Sequence, residues 1–188
     1  MTAEQTFTLD VNDVNQPPMI VPNVPALTLD EDTSLVIDVL SRVVDLDGDA
    51  LTVSNVSVDA SQGIAVLNAD HSITFTPTAN FNGSVMLSYS VSDGRGGELL
   101  VNESITVTPI NDAPTVNVPM DAQTSDEGQA FSYTLPTDAF IDVDGDALTY
   151  SATLADGSAL PSWLVFDSAT QTFSAPRALR MRRYCRLR

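Results

Sequence analysis

Lysine is absent from this chain, and cysteine, histidine and tryptophan occur once each. Those gaps remove whole classes of chemistry. With only His71 and Cys185 in 188 residues, zinc sites and nucleophilic triads have almost nothing to be built from. No disulfide stabilises the chain, which fits a cytosolic protein and equally a bacterial extracellular protein that relies on metal instead. No apolar run reaches the 18 residues a membrane span needs. The opening "MTAEQTFTLD" has neither a basic nor an apolar stretch, so no signal peptide is expected. Positive charge is scarce as well: eight arginines stand against 25 acids, for a net charge of −17. Six of those arginines fall in Arg177 to Arg188, so residues 1–176 set 25 acids against Arg42 and Arg95 alone, a formal −23. A surface that negative repels nucleic acid and anionic lipid. Bound cations would relieve it.

What the chain does have is alternation. Hydrophobic residues make up 43% of it, enough for real cores, and they recur at period two. "SITFTP" puts Ile73 and Phe75 on one face; "SVMLSYSVSDG" alternates Val85, Leu87, Tyr89 and Val91 with Met86 and serines. "ESITVTP" and "FSYTL" repeat the pattern with Ile105 and Val107, then Phe131, Tyr133 and Leu135. Half-buried antiparallel strands read this way. Asp-Gly or Asn-Gly at 47–48, 82–83 and 93–94 marks turns. About seven short strands per hundred residues predicts an all-β chain of Greek-key β-sandwiches.

Two repeats set the boundaries. "NQPP" ends at Pro18 and "NDAP" at Pro114; "DLDGDALT" begins at Asp45 and "DVDGDALT" at Asp142. A period near 96 residues is too long for a solenoid and implies whole sandwiches in tandem. The expected division is a last strand and linker of a preceding module (1–18), a complete module (19–114), a second, truncated module (115–176) and a basic tail (177–188). The tail, "RALRMRRYCRLR", contradicts the acidic body. It reads either as a functional basic arm or as an out-of-frame product. In the second reading, one base inserted after the Ser174 codon of a permitted codon string restores Ser-Gly-Thr-Pro and a strand-like run.

The Asp-Leu-Asp-Gly-Asp stretch at 45–49 asks for a metal reading. Alternate carboxylates on an extended loop point the same way, glycine lets the backbone bend, and hard oxygen ligands suit Ca²⁺. An EF-hand is excluded, because Ala50 and Val56 stand where its Gly and Glu belong. The alternative is a solvated turn.

Together these residues resemble cadherin repeats. "DVNDVNQP" is similar to the cadherin linker, with one residue inserted. "DVDGDALTYS" has the form of the Asp-x-Asp loop, "VSDGRGG" of the Asp-Gly turn before the last strand, and "LDEDT" and "SDEGQ" of the early Glu (Glu31, Glu127). Residues 19–114 look most like cadherin-like tandem repeats of large bacterial surface adhesins, and 115–176 like a dystroglycan-type cadherin-like module. The resemblance implies Ca²⁺ held between modules. The first junction would use Asp10, Asn12, Asp13 and Asn15 with Asp45, Asp47 and Asp93; the second would use Glu31, Asn111, Asp112, Asp142 and Asp144. Thr108 replaces the family's first linker Asp, and "TPTANFNG" stands where its Asp-Arg-Glu belongs. Fewer and weaker ions are therefore expected, on the order of 10⁻⁴–10⁻³ M.

The function implied is a Ca²⁺-stiffened spacer in adhesion, secreted or surface-anchored, membrane-associated only through other parts of a longer protein. It works by binding calcium, other cell-surface proteins or glycans, and without catalysis. The alternative is a carbohydrate-binding or spacer region of a secreted polysaccharide-degrading enzyme. Trp163 in "PSWLVFD" would then be a stacking platform, although Leu164 and Phe166 beside it argue for the core. Carboxylate pairs for glycoside hydrolysis would need a cleft that short-turned sandwiches lack. His71, after "NAD", reads as a hairpin-turn residue.

Overall fold

The computed structural model describes residues 4–12, 14–126 and 128–176. The basic tail, Asp13 and Glu127 lie outside the described residues. The chain forms two compact units, one ending at Ile110 and one beginning at Asn111.

The first unit is a β-sandwich. Its strands are β1 (Met19–Ile20), β2 (Leu27–Asp30), β3 (Leu35–Ile37), β4 (Val43–Val44), β5 (Thr52–Ser57), β6 (Gly63–Leu67), β7 (Ile73–Pro77), β8 (Gly83–Ser92) and β9 (Glu98–Thr108). One sheet has the order β2-β9-β8-β5 and the other β3-β7-β6, while β1 pairs with β4. All pairings are antiparallel except that of β2 with β9. That exception places an early strand beside the last one, running in the same direction.

The alternation read from the sequence decides which side chains face inward. Val85, Leu87, Tyr89 and Val91 are buried on β8, and Met86 between them is exposed. Val101, Ile105 and Val107 from the neighbouring β9, and Ile73 and Phe75 from β7 of the other sheet, join them in one core. Arg42, on a single 3₁₀ turn (Leu40–Arg42), reaches the Glu103 carboxylate at 2.8 Å with both side chains largely buried. Its guanidinium also donates to the carbonyl of Pro25 at 2.9 Å, so the charge is partnered on both sides. Burial, then the Glu103 charge, pushes the Tyr89 hydroxyl above its ordinary value.

The second unit contains β10 (Thr115–Val116), β11 (Phe131–Thr134), β12 (Phe140–Ile141), β13 (Val165–Asp167) and β14 (Thr172–Ala175). β10 pairs with β12 as β1 does with β4, and the order β11-β14-β13 repeats β3-β7-β6. A counterpart of the four-stranded sheet is not present among the described residues. Leu135, Ala139, Leu164, Phe173 and Ala175 are buried, but Phe131, Tyr133, Tyr150, Trp163 and Phe166 are only half-buried against them. A single sheet covers one face of its side chains. Trp163 packs on this core instead of standing free as a platform.

Residues 6–11 alternate as a strand would, yet the structure pairs none of them. A strand needs a neighbour to take its ladder hydrogen bonds, and Phe7 is 88% exposed. The turn readings hold with one shift. Gly48 and Gly94 take the left-handed conformation, with φ of 79° and 72°, whereas Gly83 opens β8 and the left-handed residue before it is Asn80. His71 stands in the β6–β7 turn at φ 65°.

Because Leu87 and Met86 are neighbours on opposite faces of β8, their truncations should separate. Leu87→Ala should cost about 2–5 kcal/mol in urea unfolding. Met86→Ala should stay within about 0.5 kcal/mol.

Candidate metal centre

The loop following β4 curls because of one side chain. Asp45 Oδ1 accepts the backbone N–H groups of Asp47 at 2.9 Å and Asp49 at 3.2 Å. The curl, with Gly48 in the left-handed region, gathers three carboxylates. One oxygen from each of Asp45, Asp47 and Asp49 lies within 4.8 Å of the others. Two unit charges at that separation repel by roughly 3–4 kcal/mol at an effective dielectric of ~20. The remaining oxygens of Asp45 and Asp49, both Oδ2, are buried without a hydrogen-bond partner among the described residues. Asp45 as a whole is only 9% exposed. Buried carboxylate oxygens without partners are costly, and hard oxygens gathered this closely are a donor set for a divalent cation such as Ca²⁺. Asp45, Asp47 and Asp49 fit that ion chemically.

The chain entering the first unit is tied to the same place. Asp47 Oδ2 accepts the Gln16 N–H at 2.6 Å, and Asp93 Oδ2 accepts the Asn15 side-chain amide at 2.8 Å. Asp93 opens the β8–β9 turn, and its Oδ1 accepts the N–H groups of Arg95 at 2.8 Å and Gly97 at 2.9 Å. Both oxygens are therefore engaged. The Asn15 amide first, and then the Arg95 N–H, hold the Asp93 carboxyl below the ordinary carboxylate value. A Cβ at Gly97 would run into the Asp93 carboxylate and lie 2.8 Å from Pro17 Cα. Only glycine lets the turn, the carboxylate and the linker meet.

Of the residues assigned to the first junction, the structure joins Asn15, Asp45, Asp47 and Asp93 in one connected set. Asp10 and Asn12 are exposed on the segment leading in, and Asp13 lies outside the described residues. Asp49 completes the cluster although the resemblance did not carry it; the signal was the third carboxylate of the Asp-x-Asp-Gly-Asp stretch. Arg95 was also missed. Its Nε lies 2.9 Å from Asp49 Oδ1.

Residues assigned to the second junction fall in both units. Glu31, in the first, is buried: Oε1 accepts the Ile110 N–H at 2.7 Å and Oε2 the Asn82 amide at 3.4 Å. It fastens the end of the module across 79 residues of sequence. The others belong to the second unit and repeat the first unit's device. Asp142 Oδ1 accepts the N–H groups of Asp144 and Asp146 at 3.0 and 3.3 Å, and Asp144 Oδ2 accepts the Asp112 N–H at 2.6 Å. The Asn111 amide donates to the Asp112 carbonyl at 2.9 Å. Asp144 and Asp146 are exposed.

Comparison with known proteins agrees with this architecture. Residues 14–108 match the family model described as "Cadherin-like domain", and residues 113–174 match that described as "Putative Ig domain". The chain belongs to the cadherin-like domain family. No curated protein matches it. Similar solved structures include a variant of the endo-fucoidan hydrolase MfFcnA4 of glycoside hydrolase family 107, at 22% identity and a TM-score of 0.41, covering 85% of this chain and 24% of that one. Another is SGBP-B of a Bacteroides ovatus mixed-linkage glucan utilization locus, in complex with a mixed-linkage heptasaccharide. Its identity is 16% and its TM-score 0.36, over 88% of this chain and 42% of that one. The chain thus spans less than half the length of either structure.

Two outcomes follow for the first unit. Gly97→Ala should cost about 1–3 kcal/mol, as overpacking does, and should release the Asn15–Asp93 contact, read as a shift of the Asn15 side-chain amide resonances. The lowered Asp93 carboxyl stabilises the fold fully above the unfolded carboxylate value of ~3.9, and that contribution is lost as pH falls through the lower folded value. In metal-free buffer, Asp93→Asn should therefore flatten the decline of the thermal midpoint between pH 5 and 2.

Proposed function

We propose that this chain is a calcium-binding segment of a large bacterial secreted or surface protein, whose cadherin-like modules serve as Ca²⁺-stiffened spacers in cell adhesion. The observation that carries the reading is the pair of buried, unpartnered Oδ2 atoms of Asp45 and Asp49 beside Asp47. Calcium supplies concentrated positive charge and a demand for several oxygen ligands. Asp45, Asp47 and Asp49 would hold it. Asp47 and Asp93 already grip Gln16 and Asn15, so an ion that orders the Asp loop also orders the linker attached to it. Stiffness, on this reading, comes from fixing each linker to the module it enters. The second unit has the same tie between Asp112 and Asp144, and its exposed loop should bind more weakly.

The role is binding, with no catalytic step. A formal −23 over residues 1–176 suits an extracellular setting rich in divalent cations, where sites of low affinity remain filled. A module that carries one disulfide-free core then gains stability from metal by mass action.

Millimolar calcium chloride should raise the thermal midpoint of the first unit's transition by several degrees, and magnesium should do less, because it demands a tight octahedron. Asp45→Asn should abolish most of the increase. An equal midpoint in calcium and in chelator would overturn the assignment.

A further inference from the structure

Arg95 stands out once the charges of the first unit are paired. Residues 1–176 hold only two basic side chains that are charged at neutral pH, Arg42 and Arg95. Arg42 is committed to Glu103, with both side chains 11% exposed. Arg95 is the only other arginine among the described residues, and it lies against the metal-ligand cluster, its Nε 2.9 Å from Asp49 Oδ1. The Asp49 side chain is 10% exposed and the Arg95 side chain 64%. The guanidinium thus reaches in from solvent to a nearly buried carboxylate. Its backbone is held as well, because the Arg95 N–H donates to Asp93 Oδ1, so the turn that grips the linker also aims the arginine.

We infer that Arg95 is a built-in counter-charge that sets the cation affinity of the Asp45–Asp47–Asp49 cluster. This rests on the calcium reading above and adds its regulation. Without a divalent ion, the guanidinium neutralises one of three crowded carboxylates and limits their repulsion. With the ion present, the same positive charge opposes it across a few ångströms. Both effects act in one direction: they narrow the free-energy gap between the metal-free and metal-bound forms. The cluster is thereby kept weak and reversible, while the metal-free module keeps its loop. The Asp142–Asp146 loop has no such partner among the described residues, where Arg42–Glu103 and Arg95–Asp49 are the two ion pairs.

The test is a calcium titration of the full chain, read locally from the amide resonances of residues 45–49. Arg95→Gln should tighten calcium binding about three- to tenfold, since affinity follows the charge count around such a site, and should lower the thermal midpoint in chelator. Arg95→Lys, which keeps the charge, should stay near the unsubstituted protein on both measures. Unchanged or weaker binding by Arg95→Gln, with the unsubstituted protein still binding, overturns the role of Arg95 and leaves the calcium reading standing. No response of residues 45–49 to calcium in the unsubstituted protein overturns both.

Discussion

Each Asp-x-Asp-Gly-Asp loop depends on one carboxylate oxygen turned inward. Asp45 and Asp142 each spend Oδ1 on two backbone N–H groups of their own loop, a turn that aspartate makes readily. Gly48 and Gly145, both at φ 79°, supply the left-handed residue the curl requires. The carboxylates beyond the first are then forced together whether or not their charges agree. In the first unit the curl is packed, so two of its oxygens lose water without gaining a protein partner. Everything attached to it, from the linker at Asn15 and Gln16 to the β8–β9 turn, inherits that geometry.

The sandwich was legible because burial follows strand periodicity so closely. Val85, Leu87, Tyr89 and Val91 lie inside and Met86 outside, as a half-buried strand requires. The Asp loops were legible too, since their hydrogen bonds span two to four residues. Contacts that span the sandwich were not. Glu31 looks like a ligand in sequence, but in the fold it fastens Ile110, and nothing local announces a partner 79 residues away. Arg95 was overlooked because an arginine in a Gly-rich turn reads as solvated; its meaning comes from Asp49, 46 positions earlier, brought beside it by the pairing of β5 with β8. Residues 6–11 show the converse: periodicity without a neighbouring strand.

The two units repeat a contact and change its surroundings. Gln16 N–H to Asp47 and Asp112 N–H to Asp144 are both 2.6 Å, which makes the linker tie a property of the motif. What differs is burial. The first loop sits against a two-sheet core with Asp45 largely buried, while the second belongs to a unit whose aromatic side chains are half-covered. Desolvation is what makes gathered carboxylates demand a cation. On the calcium reading proposed above, the same five-residue motif would have unequal affinity in consecutive modules, set by packing and not by ligand identity.

The parallel pairing of β2 with β9 has a mechanical consequence. Leu27 to Asp30 run alongside Ile105 to Thr108 in the same direction, one near the point where the chain enters the module and the other where it leaves. A tensile force applied to the two ends would drag these strands past each other along their length. All the bonds between them would be loaded together in shear, instead of opening one at a time as in an unzipped hairpin. The Thr108 hydroxyl, bonded to the Leu29 carbonyl and to the Asp30 carboxylate, reinforces the clamp at its far end. Once the upstream ties at Asn15, Gln16 and β1 give way, a few residues of parallel ladder would thus bear the tension, with the large core behind them held in reserve.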